Sequence, residues 1–310
     1  MNKLKILIAD ALHPAFKQGA QDLGFDVTDA PNITRAEVLN CIADFDGIAI
    51  RTKFRIDNEI FDAATNLKFV ARAGAGMDNI DVAIAQQRNI KLINAPEGNC
   101  DAVGEHAIGL LLSLMNNLRQ ADNQIRNGVW DREGNRGYEL KDKTVGIIGY
   151  GHTGKAFAQK IKGFGVNIIA YDKYKYRYSD NFVQENSMEQ IVKYADVLSL
   201  HIPLTRETKQ MVDDEYLLHF KKPIFFLNAS RGEIVNTQAV LNAIKNGKIL
   251  GAGLDVLEVE KHPALAEQLF YNELINCPKV ILSPHVAGWT IDSYRKISEV
   301  LVEKLKNLDL

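Results

Sequence analysis

The sequence predicts an α/β protein in which one parallel-sheet domain is inserted into another. Three observations carry this. Short apolar runs alternate with helix-length segments over the 310 residues, the rhythm of βαβ units. One such run, TVGII at 144–148, leads directly into glycines at 149, 151 and 154. A last helical segment, 291–308, follows Pro284 and is too short to be a domain, so it is expected to return to the first.

Taken in order, residues 4–9 read as a strand, 14–23 as a helix closed by Gly24, and 25–28 as a second strand. Thr34 can cap a helix over 35–43. Strands at 47–51, 68–72 and 91–94 then alternate with helices at 58–65 and 81–88. The turn cluster PEGNCD, 96–101, is a candidate crossing point between domains. One long helix is expected over 102–126. Its middle, 108–115, is apolar nearly all round, so it must be buried between domains or between subunits. Residues 127–137 are polar and glycine-rich and read as a loop. Beyond the glycine turn come a helix at 155–164 and strands at 166–171, 197–200, 224–228, 251–255 and 280–283. The expected domains are 1–98, 99–283 and a return over 284–310, with a cleft between the two sheets.

Composition narrows the function classes. Apolar residues make up 46% and charged residues 25%, with a net charge of -2. That is ordinary for a globular protein and offers no basic footprint for nucleic acid or membrane surfaces. The run at the N terminus is too short for a signal peptide or a membrane span. Cys41, Cys100 and Cys277 are few and far apart. They suggest neither a disulfide framework nor a metal site, and a cytoplasmic setting is expected.

The 144–154 stretch carries the first chemical signal. A strand buried on both faces reads as a near-continuous apolar run. Gly149 allows a tight turn, Gly151 lets backbone approach a pyrophosphate, and Gly154 lets the next helix lie close on the strand. His152 and Thr153 lie inside that turn. The second strand ends at Asp172, 18 residues after Gly154, where a carboxylate can bond the adenosine ribose hydroxyls and would repel a 2′-phosphate. The domain is therefore read as a Rossmann domain that binds NAD rather than NADP.

Three further stretches end strands of that domain, where open α/β sheets place ligands. NASRGEIV puts Arg231 just past a strand, GLDVLEVE carries Asp255 and Glu260, and SPHVAG carries His285. Hydride transfer at a hydroxyl carbon needs a base, and histidine titrates in the right range. A carboxylate can orient it, and a guanidinium can fork onto a substrate carboxylate. Singly, an arginine past a strand is ordinarily a solvated charge and a histidine ordinarily structural. The three together along one sheet edge point to chemistry.

These pieces, with RAGAGMDNID at 72–81 and GKILGAGLDVLE at 247–258, resemble the D-isomer-specific 2-hydroxyacid dehydrogenases over essentially the whole chain. The resemblance implies a Rossmann domain inserted into a flavodoxin-like α/β substrate domain. It implies catalytic Arg231, Glu260 and His285, Asp172 on the ribose, Asp255 near the nicotinamide carboxamide, and a homodimer built on the 102–126 helix. The NAD-contacting set is expected to include Gly149, Gly151, His152, Thr153, Gly154, Asp172, Ile202, Pro203, Ala229, Asp255, His285 and Gly288. Departures are the absence of a proline directly after Glu260, which leaves Glu258 as a competitor, and the bulky Trp289 after Gly288.

The expected substrate is a small 2-hydroxy acid, foremost 3-phosphoglycerate, oxidised to 3-phosphohydroxypyruvate in serine biosynthesis. Arg51 and Arg72 end strands of the first domain, and with Ala75, Gly76, Arg231 and His285 they form the expected substrate set. Arg231 suffices for one carboxylate, so two more arginines suggest a second anion. The loop 127–137 adds Arg132 and Arg136, and the resemblance implies that Arg132 serves the site from a partner subunit. The chain stops at Leu310, without the serine-binding regulatory domain of longer relatives, so no feedback by serine is expected. Alternatives are a glycerate, hydroxypyruvate or D-lactate type dehydrogenase, or an NAD-sensing binding protein on the same fold.

Overall fold

Aliphatic runs become most of the strands. Among the described residues, 3–309, the computed structural model forms two all-parallel sheets of five and seven strands. They belong to two units, Met1–Asn99 with Trp289–Leu310, and Cys100–Gly288.

The first unit runs β1 (Lys5–Ile8), α1 (Pro14–Asp22), β2 (Asp26–Asp29), α2 (Arg35–Cys41), β3 (Gly47–Ile50), α3 (Asn58–Ala63), β4 (Phe69–Arg72), α4 (Val82–Gln87) and β5 (Lys91–Asn94). Its strand order is β2-β1-β3-β4-β5, the flavodoxin-like order. β3 is buried along its whole length, as a strand covered on both faces must be. Thr34 caps α2 through a reciprocal pair. Its Oγ1 accepts from the Glu37 amide at 3.3 Å, and Glu37 Oε2 accepts from the Thr34 amide at 2.7 Å. The last helix, α12 (Ile291–Lys306), belongs to this unit. Its Ile297, Leu301 and Leu305 share a core cluster with Phe16 and Ala20 of α1 and Ile6 and Ile8 of β1. Lys304 Nζ donates to the Asn94 carbonyl at 2.9 Å.

The second unit opens with α5 (Cys100–Met115) and α6 (Leu118–Arg126). It continues with β6 (Thr144–Ile148), α7 (His152–Ile161), β7 (Asn167–Tyr171), β8 (Gln184–Glu185), α8 (Met188–Tyr194), β9 (Val197–Leu200) and α9 (Asp214–Leu218). β10 (Ile224–Asn228), α10 (Thr237–Lys245), β11 (Ile249–Leu254), α11 (Tyr271–Asn276) and β12 (Val280–Leu282) complete it. The order β12-β11-β10-β9-β6-β7-β8 is that of a doubly wound dinucleotide-binding sheet with one added edge strand. Its switch point lies where β6 meets β9. One face carries α5 and α7 in a cluster with Leu110, Leu111, Phe157 and Val145. The other carries α8 and α10 with Ile191, Val240 and Phe226. No helix among the described residues is long and apolar enough to cross a membrane.

Three expectations change. The single helix over 102–126 is two helices. Asn117 adopts the left-handed conformation at φ 51°, and the Met115 carbonyl accepts from the Tyr138 amide at 2.8 Å instead of continuing the helical ladder. The helix after the glycine turn begins at His152 rather than 155, because Gly151 is its N-cap, and it ends in a single 3₁₀ turn at Lys162–Phe164. The return to the first unit comes after Gly288 rather than after Ser283, so His285 and its loop belong with the seven-stranded sheet.

Candidate active site

The switch point of the second sheet opens into a cavity of about 400 Å³, lined among others by Gly149, Gly151, Asp172, His201, Ile202 and Pro203. Glycine is required at its floor. Gly149 sits at φ 90°, and a Cβ there would fall 2.4 Å from the His201 carbonyl oxygen. A Cβ on Gly154 would fall 2.1 Å from the Gly149 carbonyl oxygen. Gly151 caps α7 without a side chain and has open space around it, so a phosphate can approach the helix N-terminus. His152 and Thr153 occupy the first turn of α7.

Asp172 is locked at the cavity edge. Its Oδ2 accepts from the Tyr150 amide at 2.9 Å and its Oδ1 from the Tyr174 amide at 3.0 Å. His201, at the far wall, is buried, and its Nε2 is 2.9 Å from the Ser199 hydroxyl. Burial holds it neutral, with its pKa pushed down to about 4.

A second constellation follows β10, β11 and β12. His285 Nδ1 lies 2.9 Å from Glu260 Oε2, and both side chains are about two-fifths exposed. His285 is also one of the few non-glycine residues at positive φ, 54°, a conformation that costs on the order of 1 kcal/mol or more unless its surroundings impose it. Asp255 imposes it. Its buried carboxylate accepts from Ser283 Oγ at 2.6 Å and from the Val286 and Ala287 amides at 3.0 and 2.9 Å, while its carbonyl accepts from the His285 amide at 2.7 Å. His106 Nε2, from α5, lies 2.8 Å from the Ser283 hydroxyl. Both oxygens of Asp255 are thus engaged by the 283–287 loop.

Glu258 faces elsewhere. Its carboxylate accepts from the Thr237 amide at the start of α10 and from Gln210 Nε2, each at 2.8 Å. Glu260 is therefore the carboxylate on His285. Arg231 follows β10 in a turn built by Asn228, whose Oδ1 accepts from Ser230 Oγ at 2.7 Å and whose Nδ2 donates to the Arg231 carbonyl at 3.0 Å. A Cβ on Gly232 would fall 1.9 Å from the Leu257 carbonyl oxygen, so only glycine lets the Arg231 turn pack on the segment leading to Glu260. A cavity of about 270 Å³ flanks the pair, lined by Leu257, Leu265 and Leu282 as well as Glu260 and His285. Ala229 and Gly288 line neither cavity.

In the first unit, Arg51 follows β3 and Arg72 ends β4. The Arg51 guanidinium carbon lies 3.2 Å from the centre of the Trp289 ring, which in turn meets Tyr294 edge-on at 5.1 Å. Burial lowers the pKa of Arg51. Asp10 Oδ2 accepts from the amides of Arg51, Thr52 and Lys53 and fixes that turn. Arg72 folds over Gly74, where a Cβ would collide with its guanidinium. The Ala75 carbonyl accepts from Asn94 Nδ2, and Gly76 follows it in irregular backbone. Arg132 and Arg136 are exposed, Arg136 paired with Glu133 at 2.6 Å.

Sequence reasoning passed over His106, Ser283 and Asn228. The available signal for His106 was a polar pair, Glu105–His106, inside an otherwise apolar helix; Ser283 and Asn228 gave only their places at strand ends.

The glycine floor, the bare helix cap and the carboxylate at the next strand end fit a dinucleotide. Comparison with known proteins agrees. The family model "D-isomer specific 2-hydroxyacid dehydrogenase, NAD binding domain" matches residues 108–287. The chain is 33% identical over 307 residues to a D-3-phosphoglycerate dehydrogenase of Archaeoglobus fulgidus, covering 98% of this chain but only 57% of that one. It is 33% identical over 274 residues to a hydroxypyruvate reductase of Thermotoga maritima, covering 88% of each. Among solved structures, the D-lactate dehydrogenase of Aquifex aeolicus in complex with NAD and lactic acid superposes with a TM-score of 0.81 at 26% identity, covering 97% of this chain and 94% of that one.

Proposed function

The chain belongs to the D-isomer specific 2-hydroxyacid dehydrogenases, and on that premise we propose that it oxidises the C2 hydroxyl of a D-2-hydroxy acid and reduces the matching 2-keto acid. The observation that carries this is the His285–Glu260 pair at 2.9 Å, on a loop braced by Asp255. NAD, when bound, supplies the acceptor for the hydride lost from C2. His285 takes the hydroxyl proton at Nε2, because Nδ1 is turned to Glu260. Glu260 stabilises the imidazolium that forms and keeps the ring aimed. Arg231 forks onto the substrate carboxylate and polarises the C2 oxygen as it becomes a carbonyl. In reduction the same proton returns to the carbonyl oxygen. Asp172 bonds the adenosine ribose and sets a preference for NAD(H).

For the substrate we propose 3-phosphoglycerate and its keto acid, 3-phosphohydroxypyruvate, as in serine biosynthesis. Arg51 and Arg72 supply the surplus cationic charge for a phosphate. The likeness to phosphoglycerate dehydrogenases supports this, although the chain spans little more than half the length of the Archaeoglobus protein. A second reading, an unphosphorylated 2-hydroxy acid, draws on the stacking of Arg51 against Trp289, which occupies one face of the guanidinium. A homodimer is part of the proposal. Leu118, Ile125, Val129, Trp130 and Tyr138 expose an apolar surface on and after α6, with Trp130 at 79% exposure, and such a surface is covered by a partner in stable oligomers. A sequence with few cysteines, Cys41, Cys100 and Cys277, set far apart, suits a reducing compartment, the cytoplasm. Steady-state NADH oxidation with a panel of 2-keto acids tests the activity and its substrate together.

A further inference from the structure

The segment after β7 sends a mixed message. Asp172 is followed by KYKYRY, so Lys173, Lys175 and Arg177 crowd the strand end at which dinucleotide-binding sheets read the adenosine ribose. A carboxylate there favours NAD, whereas cations there accommodate a 2′-phosphate. The side chains show where Lys173 and Lys175 go. Lys175 Nζ donates to the Tyr150 carbonyl at 2.7 Å. Lys173 Nζ donates to Glu207 Oε2, an oxygen that also accepts from the Tyr174 hydroxyl at 3.4 Å.

Glu207 does not come from the same strand. It stands on the loop after β9, and β6 separates β9 from β7 in the sheet. The pair therefore straddles the switch-point crevice, and both partners line the 400 Å³ cavity beside Asp172. The loop that presents Glu207 is itself tied down. The Thr205 amide donates to Thr208 Oγ1 at 2.8 Å, and that hydroxyl donates to the Pro203 carbonyl at 2.7 Å. A surface ion pair adds little stability, so its place at the cavity mouth suggests selection among ligands rather than folding.

We propose that Glu207 is a specificity-determining residue for the dinucleotide, because it engages the cation next to Asp172 that would otherwise pair with a 2′-phosphate and adds a second negative charge beside it. This rests on the reading of the cavity as the cofactor site with Asp172 at the ribose. Loss of Asp172 alone then leaves NADP(H) poorly bound, since Glu207 still holds Lys173 and still repels the phosphate.

The test is the affinity of the purified protein for NADH and NADPH, by titration calorimetry or protein fluorescence, at low and high salt. Glu207→Gln is expected to tighten NADPH about tenfold while NADH changes less than about threefold. Lys173→Met combined with Glu207→Gln is expected to lose that gain, and high salt to shrink it. The proposal is overturned if Glu207→Gln binds NADPH no better than the parent, or if the gain survives in the double variant. Asp172→Ala, measured alongside, separates the two levels. If it alters the affinity of neither dinucleotide, the cavity is not the ribose site and the proposal falls with that reading. If it weakens NADH while Glu207→Gln changes nothing, only the role of Glu207 is lost. Lys173 and Glu207 are exposed and Asp172 is half-buried, and thermal unfolding confirms that each variant is folded.

Discussion

The middle and the far edge of the seven-stranded sheet each end in a histidine, and the two could hardly differ more. His201 follows β9 at the switch point. It is buried against Phe157, bonded to the Ser199 hydroxyl, and held neutral down to a pKa of about 4. His285 follows β12, stands in solvent at a strained backbone angle, and faces a carboxylate. A place at the carboxyl end of a parallel strand is therefore not enough to make a histidine a proton carrier. What sets the two rings apart is access to solvent and a charged partner. The acids repeat the lesson. Asp172 and Asp255 both end strands, yet one is presented at a cavity edge and the other is buried as the brace of the His285 loop.

The contrast breaks first at His285. His285→Ala should lower kcat/KM by roughly 10²–10⁴-fold, the usual contribution of a general acid–base, with NADH affinity retained in fluorescence titration. His201→Gln should leave the chemistry far less affected. A comparable loss of kcat/KM in both variants, with both folded, would erase the distinction. Arg231→Ala should also lose most of kcat/KM, with the loss falling on substrate and not on NADH.

The buried histidine has its own signature, in stability. Unfolded, it titrates near pH 6.5; folded, near 4. Between these values the unfolded chain binds a proton that the folded chain refuses. Stability then falls as pH drops through that window and levels off below it, by about 3 kcal/mol for this residue. Urea unfolding at pH 7, 5.5 and 4 measures the slope, and His201→Gln should flatten it. A slope unchanged in that variant would place the acid sensitivity elsewhere.

Smaller effects sharpen the picture of the acids. Glu260→Gln should move the pH profile of kcat/KM toward lower pH, because the imidazolium loses its carboxylate. Glu258→Gln, whose parent side chain caps α10, should not. The opposite pattern would reassign the catalytic carboxylate. Asp172→Ala should weaken NADH by about tenfold, the worth of one to two hydrogen bonds.

Much of this was legible in the sequence because it is local. The glycine turn, Asp172, and the strand-end positions of Arg231, Glu260 and His285 follow from short spacings and strand periodicity. What was not legible depends on long-range contacts. The helix break at Asn117 depends on Tyr138 reaching back to the Met115 carbonyl, and nothing in 102–126 announces it except two asparagines. Sequence spacing from Asp255 favours Glu260 over Glu258, and the contacts of Glu258 with Thr237 and Gln210, which turn it away from His285, lie too far along the chain to be read there. Trp289 stood out as a bulky departure, but its stacking on Arg51 is a contact across 238 positions of chain. His106 reaches Ser283 across 177 positions.

If the His285–Glu260 pair serves hydride transfer at C2 of a 2-hydroxy acid, turnover of 2-keto acids depends on His285. Initial rates of NADH oxidation are compared across phosphohydroxypyruvate, hydroxypyruvate, glyoxylate and pyruvate, for the parent protein and His285→Ala. Turnover by the parent is expected, with the greatest kcat/KM for phosphohydroxypyruvate and near-complete loss in His285→Ala. Preference for an unphosphorylated acid would remove the phosphate role of Arg51 and Arg72. Absence of turnover with every 2-keto acid, while NADH still binds, would mean that the protein is not a 2-hydroxyacid dehydrogenase in its chemistry.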